Sequence, residues 1–288
     1  MGGDAGRGGR DDLIPNRFDG QAVLVTGGTQ GVGLAIGLAF AARGAQVWLT
    51  HRWGSADEAD VRRAFAARGG RPPRIVEADA SNEADTERVL AEIRAAHDRV
   101  DVFVSNVAFA SVVGGLADYD KKSLLRSLEY SAWPLVGYLQ AIRECFGVYP
   151  RYTLGTSCDG PDTYYPGYDI VAACKKVLET LCRYIAKELY EEGGGTVNIL
   201  RSRPVSTRAL VATFGSEFEP YLRAQHGDEY FIEADAVGAA ALGIASGLLD
   251  AMTGQVVLLD RGVAFADNLM RRFETSVAPK RSSNVVAP

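Results

Sequence analysis

The stretch from Val23 to Ile36 constrains the fold more than any other part of the chain. An apolar run suited to a buried strand ends in Thr26-Gly-Gly-Thr-Gln-Gly-Val-Gly33, and this turn opens directly into an alanine- and leucine-bearing helix. Glycine lets the backbone turn tightly and approach a ligand closely, while the free N–H groups and partial positive charge of a helix start attract phosphate. Gly27, Gly31 and Gly33 alone would also suit a purely structural corner. Here the trio follows a strand, precedes a helix and heads a long alternation of the two, which points to a cradle for the diphosphate of a dinucleotide. Thr29, Gln30 and Val32 sit between the glycines and belong to the same cradle.

The alternation runs through most of the chain. Strands are expected at residues 22–26, 46–50, 74–77, 100–104, 152–156, 196–200 and 255–259. Helices are expected at residues 32–42, from Ser55 as cap to Arg68, at 82–96, as one long amphipathic helix at 121–146, and at 168–191. Helices between strands of this length require right-handed crossovers and a mostly parallel sheet covered on both faces. The expected fold is α/β: a single-domain, Rossmann-like, doubly wound parallel sheet of about seven strands with helices on both faces. Its span is residues 18–275, with a disordered leader at 1–17 and a flexible tail at 276–288. Residues 205–233, long and interrupted by glycines, lie between the last two strands and read as a substrate lid or as an ordinary surface excursion.

Composition narrows the function classes. The 288 residues are 47% hydrophobic and 23% charged, and no apolar run approaches the roughly 18 residues of a membrane helix. Net charge is −5 with Lys and Arg dispersed, which argues against nucleic-acid binding. Cys145, Cys158, Cys174 and Cys182 contain no CxxC pair, a usage that fits a reducing cytoplasm. No set of residues reads as a metal site.

At the end of the second strand a dinucleotide fold tests the adenosine ribose. An acid there accepts hydrogen bonds from a free 2′-hydroxyl, and a base neutralises a 2′-phosphate. The segment is Thr50-His-Arg-Trp-Gly-Ser55, with no acid, so His51, Arg52 and Ser55 favour NADPH over NADH. Arg52 as a plain surface charge is the alternative. Asp79, just after the third strand, is either an acceptor for the adenine amino group or a cap for the helix that follows.

These residues carry a family resemblance. Thr26-Gly-x-x-x-Gly-x-Gly33, Asp79-Ala80 after the third strand and Ser105-Asn106-Val107-Ala108 after the fourth resemble the short-chain dehydrogenase/reductase superfamily, from about Phe18 to Asp267. The superfamily usually ends its fourth strand Asn-Asn-Ala-Gly. The variant here, continuing into Phe109 and Ala110, is more similar to the enoyl-acyl-carrier-protein reductases, a divergent branch. The resemblance implies that Asn106, Val107 and Ala108 line the cofactor, and that Pro204 and Thr207 after the sixth strand reach the nicotinamide amide. Arg203 matches no role in the family.

The main branch carries Tyr-x-x-x-Lys on the helix after the fifth strand. Aligned on that helix, its lysine falls on Lys175 and its tyrosine on Val171, which has no proton to donate. Tyr168 stands seven residues before Lys175, the spacing of the enoyl reductase branch. At about 3.6 residues per turn, seven residues make nearly two turns, so both side chains emerge on one face. The resemblance then makes Tyr168 the donor to the substrate oxygen. Lys175 becomes the holder of the nicotinamide ribose and lowers the tyrosine pKa. The plainer reading makes Tyr164, Tyr165 and Tyr168 an aromatic lip, with Lys175 and Lys176 on a solvated face. Counting back, the auxiliary hydroxyl position falls on Cys158, either a candidate for that role or, as a poor thiol donor, a shaper of the pocket; Ser157 beside it is a candidate too, or points the other way in the strand. The asparagine of the main-branch proton relay corresponds to Ser131, read as structural. Phe109, Tyr164 and Tyr165 are expected to line the substrate pocket.

Three functions fit. The first is NADPH-dependent reduction of an α,β-unsaturated thioester or ketone in fatty-acid or polyketide-like metabolism. The second is carbonyl reduction by the same pair, and the third is cofactor binding without turnover. The resemblance further implies a small-molecule or carrier-bound acyl substrate, with acyl carrier protein as a partner, and a homodimer or homotetramer. Arg201, Arg203 and Arg208 would attract such an acidic partner or a carboxylate-bearing substrate, or are surface arginines only.

Overall fold

The structure, a computed structural model, describes residues 18–52, 56–109, 111–266, 270 and 276. Its centre is a seven-stranded sheet in the order β3-β2-β1-β4-β5-β6-β7. The strands are β1 (Ala22–Val25), β2 (Gln46–His51), β3 (Arg74–Glu77), β4 (Val102–Ser105), β5 (Tyr152–Cys158), β6 (Thr196–Ser202) and β7 (Val256–Leu259). Every neighbouring pair is parallel, as the alternation with helices requires.

Side chains alternate across the strands and sort the core into two layers. Val23, Val25, Val47, Leu49, Val102 and Val104 pack on one face with α1 (Gly31–Ala41), α2 (Glu58–Ala67) and α9 (Ala234–Ile244). Leu24, Trp48, Val76 and Phe103 pack on the other with α3 (Glu83–Arg94), α5 (Trp133–Phe146) and α6 (Asp169–Glu191). Among the described residues no helix is long and apolar enough to cross a membrane.

Three expectations change. The helix foreseen at residues 121–146 is two, α4 (Lys121–Ser131) and α5, broken at Ala132. Pro134 stands in the first turn of α5, where its missing N–H is harmless, but a continuous helix would set its ring against the Tyr130 carbonyl. The cap of α2 is Asp57, whose carboxylate accepts from the N–H groups of Ala59 and Asp60, while Ser55 lies outside the described residues. Asp79 does not cap α3, because Asn82 does so through the Asp85 N–H. Within residues 205–233 the chain forms two short helices, α7 (Arg208–Phe214) and α8 (Phe218–His226). The leader at 1–17 lies outside the described residues, as does the tail apart from Ser276.

Candidate active site

Strand order reverses between β1 and β4, so the chain leaves these neighbours in opposite directions and opens a crevice at their carboxyl ends. The glycine corner fills its rim. Gly27 and Gly31 hold φ of 62° and 56°, which side chains resist. A Cβ at Gly33 would lie 2.5 Å from both Asn106 Nδ2 and the Gly27 oxygen. Gln30 leads into α1 without a side-chain cap, and no acid occupies the first turn, so the opening N–H groups of α1 are left for an anion. The β6–α7 connection crosses above, with Thr207 Cγ2 3.4 Å from where a Gly31 Cβ would be.

Asn106 belongs to this corner in a role the sequence did not disclose. Its Nδ2 donates to the oxygens of Thr26 (3.1 Å) and Gly27 (3.0 Å), and its Oδ1 accepts from Thr156 Oγ1 at 3.2 Å. The amide therefore ties the turn to β4 and β5. Val107 backs Gly27, Ala108 is exposed, and Thr29 is buried.

Beyond the carboxyl ends of β2 and β3, Arg52, Asp79 and Tyr130 form one cluster. Arg52 pairs with Asp79 and donates to Tyr130 Oη, and Tyr130 in turn donates to Asp79 Oδ2 at 3.0 Å. The other Asp79 oxygen accepts from Ser81 N and Oγ. Ala80 beside it is buried. Among the described residues, the buried His51 Nδ1 has no hydrogen-bond partner. Phe109, foreseen in the substrate pocket, lies instead against the Tyr130 ring with Arg126 over its face. Ser131 has the structural part expected of it: its hydroxyl accepts from Phe109 N and donates to Phe109 O.

At the other end Tyr168 is the residue that leads into α6, and Lys175 lies two turns further along. Lys175 is buried and donates to Thr156 O at 2.8 Å, which removes the solvated-face reading. Burial pushes its ammonium down, opposed by Cys158, Cys174 and Glu179. Tyr168 Oη lies 3.6 Å from Cys158 Sγ. Burial first, then Cys158 and Asp159, push the phenol well above its ordinary range. That direction is opposite to the lowering anticipated from Lys175: the Tyr168 hydroxyl is protonated and a weaker acid than a free phenol.

Ser157 is a correction. It sits on the opposite face of β5 from Cys158 and donates to the buried Glu179 at 2.7 Å. Glu179 also holds Arg201, which reaches on to Asp162, so these residues brace the β5–α6 connection rather than joining Tyr168. Arg201 is largely buried and is therefore no docking arginine. Tyr164, at 84% exposure, stands outside the pocket wall. Tyr165 is buried and donates to Asp159 at 2.9 Å, its ring 5.9 Å from that of Tyr168.

Phe214 of α7 covers this wall, its ring 5.2 Å from Tyr168 and 5.7 Å from Tyr165, with Phe218 stacked on it at 4.3 Å. The sequence signal was present in two phenylalanines four residues apart around Gly215, inside the foreseen lid. It was not resolved into individual contacts.

The family profile described as Enoyl-(Acyl carrier protein) reductase matches residues 27–264. The chain belongs to this family. Among its relatives, an enoyl-acyl-carrier-protein reductase (NADH) FabI of Aquifex aeolicus is 23% identical, covering 85% of this chain and 92% of the relative. The 1-cyclohexenylcarbonyl-CoA reductase of Streptomyces collinus is 27% identical, covering 85% and 87%. A short-chain dehydrogenase from Burkholderia cenocepacia, solved in complex with NADP, shares the fold at a TM-score of 0.73 and 22% identity, covering 85% of this chain and 98% of that one.

This short-chain dehydrogenase/reductase is an NAD(P)H-dependent oxidoreductase, and its own residues fit such a cofactor. The corner at Gly27 to Gly33 is a cradle that a Cβ would fill, and the α1 start supplies unpaired N–H groups. Arg52, Asp79 and the unpartnered His51 Nδ1 can receive the adenosine part. Lys175 and the Pro204-to-Thr207 connection stand at the opposite end, where Thr207 also caps α7 through Leu210 N.

Proposed function

We propose that this oxidoreductase uses NADPH to reduce the carbon–carbon double bond of an α,β-unsaturated acyl thioester or ketone. The observation that carries the reading is Tyr168: half-buried, its hydroxyl 3.6 Å from Cys158 Sγ, and two helical turns from the buried Lys175, where the main-branch tyrosine position holds Val171. In conjugate reduction the β-carbon receives hydride and negative charge develops on the carbonyl oxygen. A preorganised O–H donor aimed at that oxygen is the largest stabilisation a site of this kind can offer. Tyr168 supplies it, Cys158 shapes the space beside its hydroxyl, and Lys175 holds the nicotinamide ribose. The bound cofactor supplies the hydride, and the aromatic cover of Phe214 and Phe218 excludes water.

Two relatives named for enoyl-type thioesters support the substrate class. Arg52 supports NADPH: a 2′-phosphate competes with Asp79 for its guanidinium. An acyl carrier protein or a CoA-like group presents the substrate. The reductase works as a homodimer or homotetramer, because Leu125, Trp133 and Val177 expose apolar surface along one groove on α4, α5 and α6. Four free cysteines suit a reducing cytoplasm.

The test is NADPH oxidation with crotonyl and acetoacetyl thioesters. Crotonyl reduction is expected. Activity on acetoacetyl alone would assign carbonyl reduction, and tight binding with neither would assign a binding module. Tyr168→Phe is expected to lower kcat by about 100-fold or more at unchanged NADPH affinity, and an unchanged rate removes it from the mechanism. Arg52→Ala is expected to weaken NADPH more than NADH; equal losses sink the phosphate clamp.

A further inference from the structure

Arg203 leads from β6 into the lid connection and is 3% exposed. Its Nε is buried without a hydrogen-bond partner. Its nearest acid is Asp159, whose Oδ2 is 3.9 Å from Nε, beyond hydrogen-bond reach, and that same oxygen already accepts from Tyr165. The Tyr230 ring lies against the guanidinium, its centroid 4.0 Å from Cζ. Buried guanidinium groups in folded proteins are normally held by two or more charge-assisted hydrogen bonds. Among the described residues none is made here, so folding alone does not account for this side chain.

The place of Arg203 says what it is for. Asp159 follows Cys158, whose sulfur meets the Tyr168 hydroxyl, and Tyr165 packs edge-on to Tyr168. The guanidinium thus lies one layer of side chains behind the proposed donor, in the wall that Phe214 covers. We infer that Arg203 is a specificity-determining residue of the substrate pocket and receives a carboxylate at the far end of the acyl group, so that the preferred substrate is an ω-carboxylated enoyl compound. This inference rests on the enoyl-reduction reading for the rest of the substrate. Asp159 Oδ2 accepts the Tyr165 hydroxyl and stands 3.9 Å from Nε, so among the described residues no carboxylate hydrogen-bonds the guanidinium. Tyr230 fixes the guanidinium plane and Tyr165 holds Asp159 aside, so two N–H donors can meet a planar carboxylate.

The experiment compares a homologous series of ω-carboxylated enoyl thioesters with their methyl esters, using the full chain and NADPH. In parallel, the saturated forms are titrated calorimetrically onto the chain loaded with oxidised cofactor. The free acids are expected to be favoured by about ten-fold or more in kcat/KM and in affinity, the order of one charge-assisted hydrogen bond in a dry site. Arg203→Met is expected to abolish that preference while leaving the methyl esters and NADPH affinity unchanged. Arg203→Lys, which keeps the charge, retains part of it and stands in if the methionine variant does not fold. No preference in the unaltered chain overturns the inference, as does an equal loss on acids and esters in Arg203→Met, which would mark a structural role. Reduction of the esters without preference leaves enoyl reduction standing and this inference overturned. If neither series is reduced, the enoyl reading fails and the calorimetric preference still decides on Arg203.

Discussion

Tyr168 can serve a substrate oxygen only while its ring stays where the β5–α6 connection puts it, and Gly160 sets that place. A Cβ at position 160 would lie 2.8 Å from both Cδ1 and Cε1 of Tyr168, and 3.4 Å from Cys158 Sγ. The ring also packs against those of Phe214 and Tyr165, at 5.2 and 5.9 Å, so moving it disturbs these contacts. Gly160→Ala is therefore expected to lower kcat by about ten-fold or more, since small misplacement of a catalytic group is costly. The NADPH dissociation constant, measured by fluorescence titration, should be unchanged because the glycine corner is untouched. The place of Tyr168 at the start of α6 with Lys175 two turns along was readable because helix geometry converts a spacing into a position. The direction of Ser157 stayed open between the site and the opposite face, since the strand was expected to end at residue 156. Once β5 runs to Cys158, alternation assigns Ser157 to Glu179 and Cys158 to Tyr168.

At the scale of elements, the site depends on how β1, β4 and β5 are tied at their carboxyl ends. Parallel pairing stops at Val25 and Val104, and from there Asn106 continues the connection with its side chain. Thr26 Oγ1 adds to it by accepting from Asn106 N at 3.0 Å. Asn106→Ala leaves the Thr26 and Gly27 carbonyls without these donors and frees the turn. The expected cost is about 1–3 kcal/mol, lowering Tm by roughly 2–4 °C for each kcal/mol. NADPH should bind less tightly and restore less of the lost Tm than it adds to the unaltered chain. Thermal melts with and without cofactor check this, and an unaltered cofactor affinity would show that the turn holds itself. Strands and most helices were legible because buried apolar runs and capping residues are local signals. The break between α4 and α5 was also local, in Pro134, but the amphipathic pattern runs across it and hid it. The aromatic cover and the bracing of Glu179 by Arg201 join residues distant in sequence, and no local pattern announces such pairs.

The molecule as a whole must hold the two ends of its crevice in register, and helix packing on one face of the sheet does this. α1 begins at the cradle, and α9 follows the lid segment and leads to β7. The two helices meet backbone to backbone at Gly238, where a Cβ would lie 2.6 Å from the Ala35 oxygen and 3.0 Å from its carbonyl carbon. No flexible side chain stands there to yield, so an added methyl group must separate the helices. Gly238→Ala is expected to cost about 1–3 kcal/mol through overpacking, against the gain that alanine normally brings to a helix. Because the displaced helix carries the Gly31 start of the cradle, weaker NADPH binding should accompany the lower Tm. Gly243 on the same helix is the internal control, since a Cβ there meets nothing within 4 Å. Gly243→Ala should be neutral or stabilising by up to about 1 kcal/mol. Calorimetric melts and cofactor titrations of both variants separate packing from helix propensity. If the two alanines behave alike, close approach of α1 and α9 is not what keeps the cradle in place.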